Sequence, residues 1–309
     1  MHTIVSADRT PGPVPAIADE RAGISALLAG ASLELSSRDP AEVDACAGLL
    51  EPGTRVYISF PPGQTYHGTV ALAARLARAG FRPVPHVAAR RIASREALDD
   101  YLARVAGEAG VDSALVIGGD SERSGGAFDS SLALLETGLF ERHGIVRIGV
   151  AGYPEGHPRI SPAALEAALT AKQEYARRVG LEIGVVTQFC FDAESILYWT
   201  AKIASSGLRV RVGLAGPASL PRLLRFAAMC GVGNSLRALQ ARPGAITRLM
   251  VEAGPEIALR ELARRAGPPV DGVHFFCFGG LVRTARWLRA VREGRFELSD
   301  DGGFRVGAS

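Results

Sequence analysis

One pattern constrains this chain more than any other: a short β-rich segment, a Gly, Pro or polar cluster, and then an Ala/Leu/Arg-rich helical stretch, repeated along most of its length. Candidate strands are Ala31–Ser36, Arg55–Phe60, Arg82–His86, Ser113–Gly118, Val146–Ala151, Ile183–Gln188, Arg209–Leu214 and Gly272–Phe278. The clearest helices between them are Thr69–Ala79, Ser94–Ala109, Pro162–Val179, Ala193–Ser205 and Leu220–Cys230. Parallel neighbours need crossovers, so strand–helix–strand repetition implies a parallel sheet covered by helices. Eight strands suit closure into a (β/α)8 barrel, although an open doubly wound sheet fits the same pattern. Ser94 before Arg95, and Ser161 before Pro162, have the chemistry of helix N-caps. Gly110 and Gly180 follow helices where a left-handed residue is expected.

Only one interval is long. Residues 232–270 are expected to hold extra helices, Ser235–Gln240, Ala245–Val251 and Glu256–Ala266, before the last strand. No low-complexity linker divides the chain, so one domain is expected over 21–295. Residues 1–20, with Pro11, Pro13 and Pro15, read as a flexible N-terminal arm, and 296–309 as a C-terminal tail.

Composition excludes several function classes. The 309 residues are 47% apolar and carry a formal net charge of +3, with arginines dispersed rather than blocked. Neither that charge nor 6% aromatics forms a nucleic-acid surface. Cys46, Cys190, Cys230 and Cys277 are too scattered for a metal site and suit a reducing compartment. With no signal-peptide h-region and no membrane-length apolar run, a soluble cytoplasmic protein is expected. There is no P-loop, no dinucleotide glycine fingerprint, no H-E-x-x-H and no G-x-S-x-G, so a nucleotide triphosphatase, a Rossmann dehydrogenase, a zinc protease and a serine hydrolase are all disfavoured. No metal is expected.

In such a barrel the site lies at the C-terminal ends of the strands. The polar residues there are Glu34, Ser59, His86, Asp120, Tyr153 with Glu155 and His157, Gln188, and the Gly279–Gly280 pair. Three of these segments read AGYPEGHP (Ala151–Pro158), TQFCFD (Thr187–Asp192) and VIGGD (Val116–Asp120). Pro85–His86, Leu33–Glu34 and HFFCF (His274–Phe278) lie at other strands in the same order. Together they resemble the methylenetetrahydrofolate reductase family, in its bacterial catalytic-domain form, over roughly residues 30–290.

The resemblance implies an FAD-dependent oxidoreductase of one-carbon metabolism that interconverts 5,10-methylenetetrahydrofolate and 5-methyltetrahydrofolate. It further implies NAD(P)H as a candidate electron partner, and a homo-oligomer. Opening the methylene bridge needs a proton donor. Glu34, desolvated on a strand and so with a raised pKa, is expected to supply it. Asp120 resembles the acid beside the flavin pyrimidine ring and is placed with Glu34 as catalytic. Ser59, His86, Gly118, Gly119, Tyr153 and His157 join Asp120 as flavin contacts. Gln188, able to donate and accept at once, is expected on the pterin edge, with Phe278 and Arg283 as further substrate contacts. Lys172 reads as a solvated helix charge.

Departures mark a divergent member. The aromatic stretch after the first acid is here Leu35-Ser36-Ser37-Arg38-Asp39-Pro40, and the second strand runs into Ser59-Phe60-Pro61-Pro62-Gly63. Gly118 stands where the family has an arginine, and Gly280 where it has a substrate-contacting arginine, with Arg283 a turn later as a substitute. Two alternatives stay open: flavin-free hydride transfer on the same scaffold, and a non-catalytic folate-binding or partner subunit.

Overall fold

The computed structural model describes residues 17–36, 40–61, 63–119, 126–230, 232 and 252–307. Asp120 and the expected helices Ser235–Gln240 and Ala245–Val251 lie outside the described residues.

Eight parallel strands close into a barrel: β1 (Ser32–Ser36), β2 (Arg55–Ser59), β3 (Arg82–Ala88), β4 (Ser113–Ile117), β5 (Arg147–Gly152), β6 (Glu182–Thr187), β7 (Arg209–Ala215) and β8 (Val270–Phe276). Neighbours in the barrel are neighbours in sequence, and the ring closes where Leu33 of β1 pairs with Phe275 of β8. This decides the barrel against the open sheet. Six fully buried strand residues, Leu33, Val56, Val116, Val150, Val210 and Val273, belong to one continuous apolar core.

The helices form for identifiable reasons. Ser94 accepts the amide of Ala97 and Ser161 that of Ala164, each satisfying an otherwise unpaired N–H of the first turn. Helix Pro162–Val179 and helix Leu220–Cys230 have the expected bounds. Helix Tyr66–Arg78 begins three residues before the apolar pattern does, because Tyr66 packs on Tyr101 at 5.2 Å and so draws its turn into the core. Six strands match their expected bounds to within one residue at each end, and two are shifted by two residues. β3 continues past His86, with Val87 and Ala88 pairing to Val116 and Ile117, and β8 stops at Phe276.

Both ends of the chain carry more structure than an arm and a tail. Helix Ile17–Leu28 starts inside the stretch read as an arm, anchored by the fully buried Ile24 and Leu28. Phe296–Leu298 and Phe304–Val306 pair antiparallel, and Phe304 stacks on Trp287 at 6.1 Å. Arg260 ties these ends together. Its Nε donates to Glu20 at 2.6 Å, and Nη1 donates to the carbonyls of Ser299 and Gly303, both at 2.8 Å. No helix among the described residues is long and apolar enough to cross a membrane.

Candidate active site

At the C-terminal mouth of β3–β6 lies a cavity of about 1040 Å³. His86 from β3, Gly118 and Gly119 after β4, Tyr153 and His157 after β5, and Gln188 after β6 all line it. Six of the expected site residues are therefore brought to one wall by four consecutive strands, as parallel strand ends in a barrel require. Their local chemistry is set by backbone partners. The Nδ1 of His157 accepts the amide of Arg159 at 3.1 Å, so in its neutral form the ring carries its proton on Nε2. Gln188 Oε1 accepts the amide of Phe189 at 3.1 Å, which leaves the carboxamide nitrogen as its donating end. Tyr153 meets His157 edge to face at 5.1 Å. The close approach of β7 to the β6 end requires Gly213, since a Cβ there would run into the Thr187 carbonyl oxygen.

Glu34 sits in the middle of β1, opposite Tyr57, rather than at the strand end. It stands behind the cavity wall, with Oε2 3.5 Å from Nε2 of the cavity-lining His86 and 3.6 Å from Nε2 of the fully buried His274. Ser32 Oγ lies 3.0 Å from His274 Nδ1, and the Tyr57 ring packs on His274 at 4.5 Å. The expectation of a raised Glu34 pKa is corrected by these neighbours. Burial raises it, but the close approach of His274, the charges of His86 and His274, and Ser59 together outweigh burial, leaving the carboxyl below its ordinary 4.5. Glu34 is held ionised between two imidazoles.

The remaining expected residues take other places. Ser59 ends β2, with its hydroxyl donating to Leu35 O at 3.4 Å. Phe278 lies in an aromatic cluster, stacked on Phe226 at 4.1 Å and edge to face with Phe189 at 4.9 Å; from this cluster it is Phe276 that reaches the cavity. Arg283 lies in helix Leu281–Arg292, against Gly279 and away from the cavity-lining residues. At Gly280 φ is +104°, and a Cβ there would stand 3.0 Å from Glu42 Oε1. Glu42 Oε2 accepts the amides of Leu281 and, at 3.3 Å, Val282, so a carboxylate already occupies the N-terminus of that helix.

Lys172 is the residue the sequence reading missed. It lines the cavity, with no ion-pair partner among the described residues, and burial pulls its pKa below the ordinary 10.5. The signal was present: Leu165, Leu169, Lys172 and Ala176 follow helical spacing, which puts the lysine on the inward stripe. His274 was likewise visible only as part of an aromatic run.

The sequence model of the methylenetetrahydrofolate reductase family matches residues 57–278, a span that includes the whole cavity wall but neither Glu34 nor Arg283. A 5,10-methylenetetrahydrofolate reductase of Pectobacterium carotovorum subsp. carotovorum is 31% identical over 160 residues, 50% of this chain and 50% of the relative. The chain thus spans about half the length of the curated relative it matches. Among solved structures, dihydropteroate synthase from Thermus thermophilus is 18% identical, with 85% of this chain and 94% of that one covered and a TM-score of 0.46. A thermostable aldo-keto reductase is 13% identical, covers 87% and 92%, and has a TM-score of 0.44. Both are too distant to bear on function. With most of its length matched by one family, the chain belongs to the methylenetetrahydrofolate reductase family.

Proposed function

We propose that this chain is an FAD-dependent oxidoreductase that interconverts 5,10-methylenetetrahydrofolate and 5-methyltetrahydrofolate, with NAD(P)H as candidate electron partner. The observation that carries the reading is Glu34 Oε2, 3.5 Å from His86 Nε2 at the wall of a cavity large enough for a dinucleotide.

The residues present fit a flavin dinucleotide. A desolvated cation with no protein partner among the described residues, Lys172, suits a phosphate, and His157 offers Nε2–H on the same wall. Bound there, the flavin supplies a two-electron hydride carrier. The protein contributes binding, orientation and proton handling. Gln188 donates from its carboxamide nitrogen to a pterin-edge acceptor, and Phe276 offers an apolar face beside it. Closing the methylene bridge releases a proton from the folate nitrogen, and the ionised Glu34 carboxylate with His86 Nε2 can hold it. Opening the bridge runs the same transfer backwards, with the Glu34–His86 pair returning the proton.

Gly118 favours one second reading, hydride passing directly between nicotinamide and folate. It lines the cavity without a side chain, so it offers a flavin phosphate no side-chain cation. A visible spectrum of the purified protein, before and after anaerobic 5-methyltetrahydrofolate, separates the two. Flavin absorbance that bleaches supports the proposal. A colourless protein that turns over the folate with NAD(P)H and takes up no FAD overturns it in favour of the second reading.

A further inference from the structure

The opposite end of the barrel carries charge that the reaction does not use. β2 and β3 both begin with arginine, and Arg55 and Arg82 are register partners across the parallel pair. Like charges placed opposite each other are unfavourable. Arg211 from β7 and Arg292 from the last turn of helix Leu281–Arg292 face the same recess, a cavity of about 180 Å³ floored by Pro52, Gly53 and Thr54. Two of the four are pinned rather than free to swing into solvent. Arg211 Nη1 donates to Gly30 O and Arg292 Nη2 to Leu28 O, each at 2.9 Å.

Neutralisation is incomplete. Among the described residues, the exposed Glu51 is the one carboxylate lining the recess, and it lies 3.5 Å from Arg292. Arg82 shares Asp112 with Arg147. Arg55 and Arg211 have no ion-pair partner among the described residues. Burial, followed by the charge of Arg55, lowers the pKa of Arg211, while Tyr57 and Asp271 oppose that fall and Arg209 adds to it. Guanidinium groups gathered with too few carboxylates, as Arg55 and Arg211 are here, cost stability unless an anion joins them.

We propose that Arg55, Arg82, Arg211 and Arg292 form a binding site for a compact phosphate-class oxyanion at the N-terminal face of the barrel, separate from the cavity at the mouth. The forked donors of several guanidinium groups match tetrahedral oxygens. A recess of this size takes a phosphate or pyrophosphate.

Calorimetric titration of the purified protein with inorganic phosphate, pyrophosphate and glycerol 3-phosphate, at fixed ionic strength, tests the site. One saturable equivalent is expected for the wild type, with affinity weakened at least about tenfold in Arg55→Gln and unchanged in Lys172→Gln. Arg55→Lys, which keeps the charge and loses the fork, should fall between. Tighter binding of glycerol 3-phosphate than of phosphate assigns the site to a phosphate ester; the reverse order assigns it to the free anion. Circular dichroism and the melting midpoint of Arg55→Gln, in the absence of phosphate, confirm that the variant folds. No saturable binding to the wild type, or binding kept in Arg55→Gln and lost in Lys172→Gln, overturns the proposal.

Discussion

Glu34 shows how two neighbours reverse what burial alone dictates. Its folded pKa lies below the unfolded value, so ionised Glu34 contributes stability that is fully present above about pH 4.5 and lost as pH falls through the folded value. Glu34→Gln should therefore flatten the acid side of the stability profile, measured by urea melts between pH 3 and 6. The same variant should cut turnover by about 10²–10⁴-fold while folate binding changes little; unchanged turnover would remove Glu34 from the proton path. Lys172 gives a prediction of opposite sign. Lys172→Met removes a desolvated cation, so without cofactor it should raise Tm by about 1–3 °C while weakening FAD binding at least tenfold. A loss of both stability and affinity would make Lys172 a structural residue instead. Helical spacing in Pro162–Val179 already put Lys172 on the inward stripe, but the environment of Glu34 was not legible in the sequence. Glu34 was found by its motif, but its partner His274 lies about 240 positions away and meets it only because the first and last strands pair. Cavity lining by His86, Tyr153, His157 and Gln188 could be anticipated, since each sits at or just after the C-terminal end of a strand.

Elements were easier to read than contacts, because periodicity and caps are local. The eight strands and the helix Pro162–Val179 came from period and end signals alone, and closure of the sheet was decided only by pairing. At the start of helix Tyr66–Arg78 the shifted bound goes with a tertiary contact, Tyr66 on Tyr101. Helix Leu281–Arg292 illustrates a device that one sequence cannot announce. Glu42, from a short helix 239 residues earlier, caps its first turn, and Gly280 makes room at φ +104°. Glu42→Ala should cost about 1–2 kcal/mol in chemical denaturation. Gly280→Arg, which restores the family's residue, should cost about 1–3 kcal/mol and fail to improve folate affinity. Improved affinity without a stability loss would show that the left-handed backbone is not binding on this position.

At the scale of the whole molecule, Arg260 joins helix Ile17–Leu28, helix Glu256–Arg265 and the C-terminal hairpin through three short hydrogen bonds. Glu20 is 5% exposed, so removing its partner leaves a carboxylate stranded, although Arg264 remains 3.7 Å away. Arg260→Ala should cost about 2–4 kcal/mol, seen as a lower urea midpoint with the same slope. A cost below about 1 kcal/mol would mean that Arg264 takes over. Closure of the ring has a temporal consequence as well. β1 is among the first strands to leave the ribosome, yet its second neighbour, β8, is among the last. Until Phe275 emerges, the nascent chain carries an open parallel edge on β1 and another on whichever strand was made last. At translation speeds of about 5–20 residues per second, that exposure lasts on the order of 10–50 s. Slowing translation between β1 and β8 should lengthen that exposure and lower the soluble yield, measured as the soluble fraction of the expressed protein.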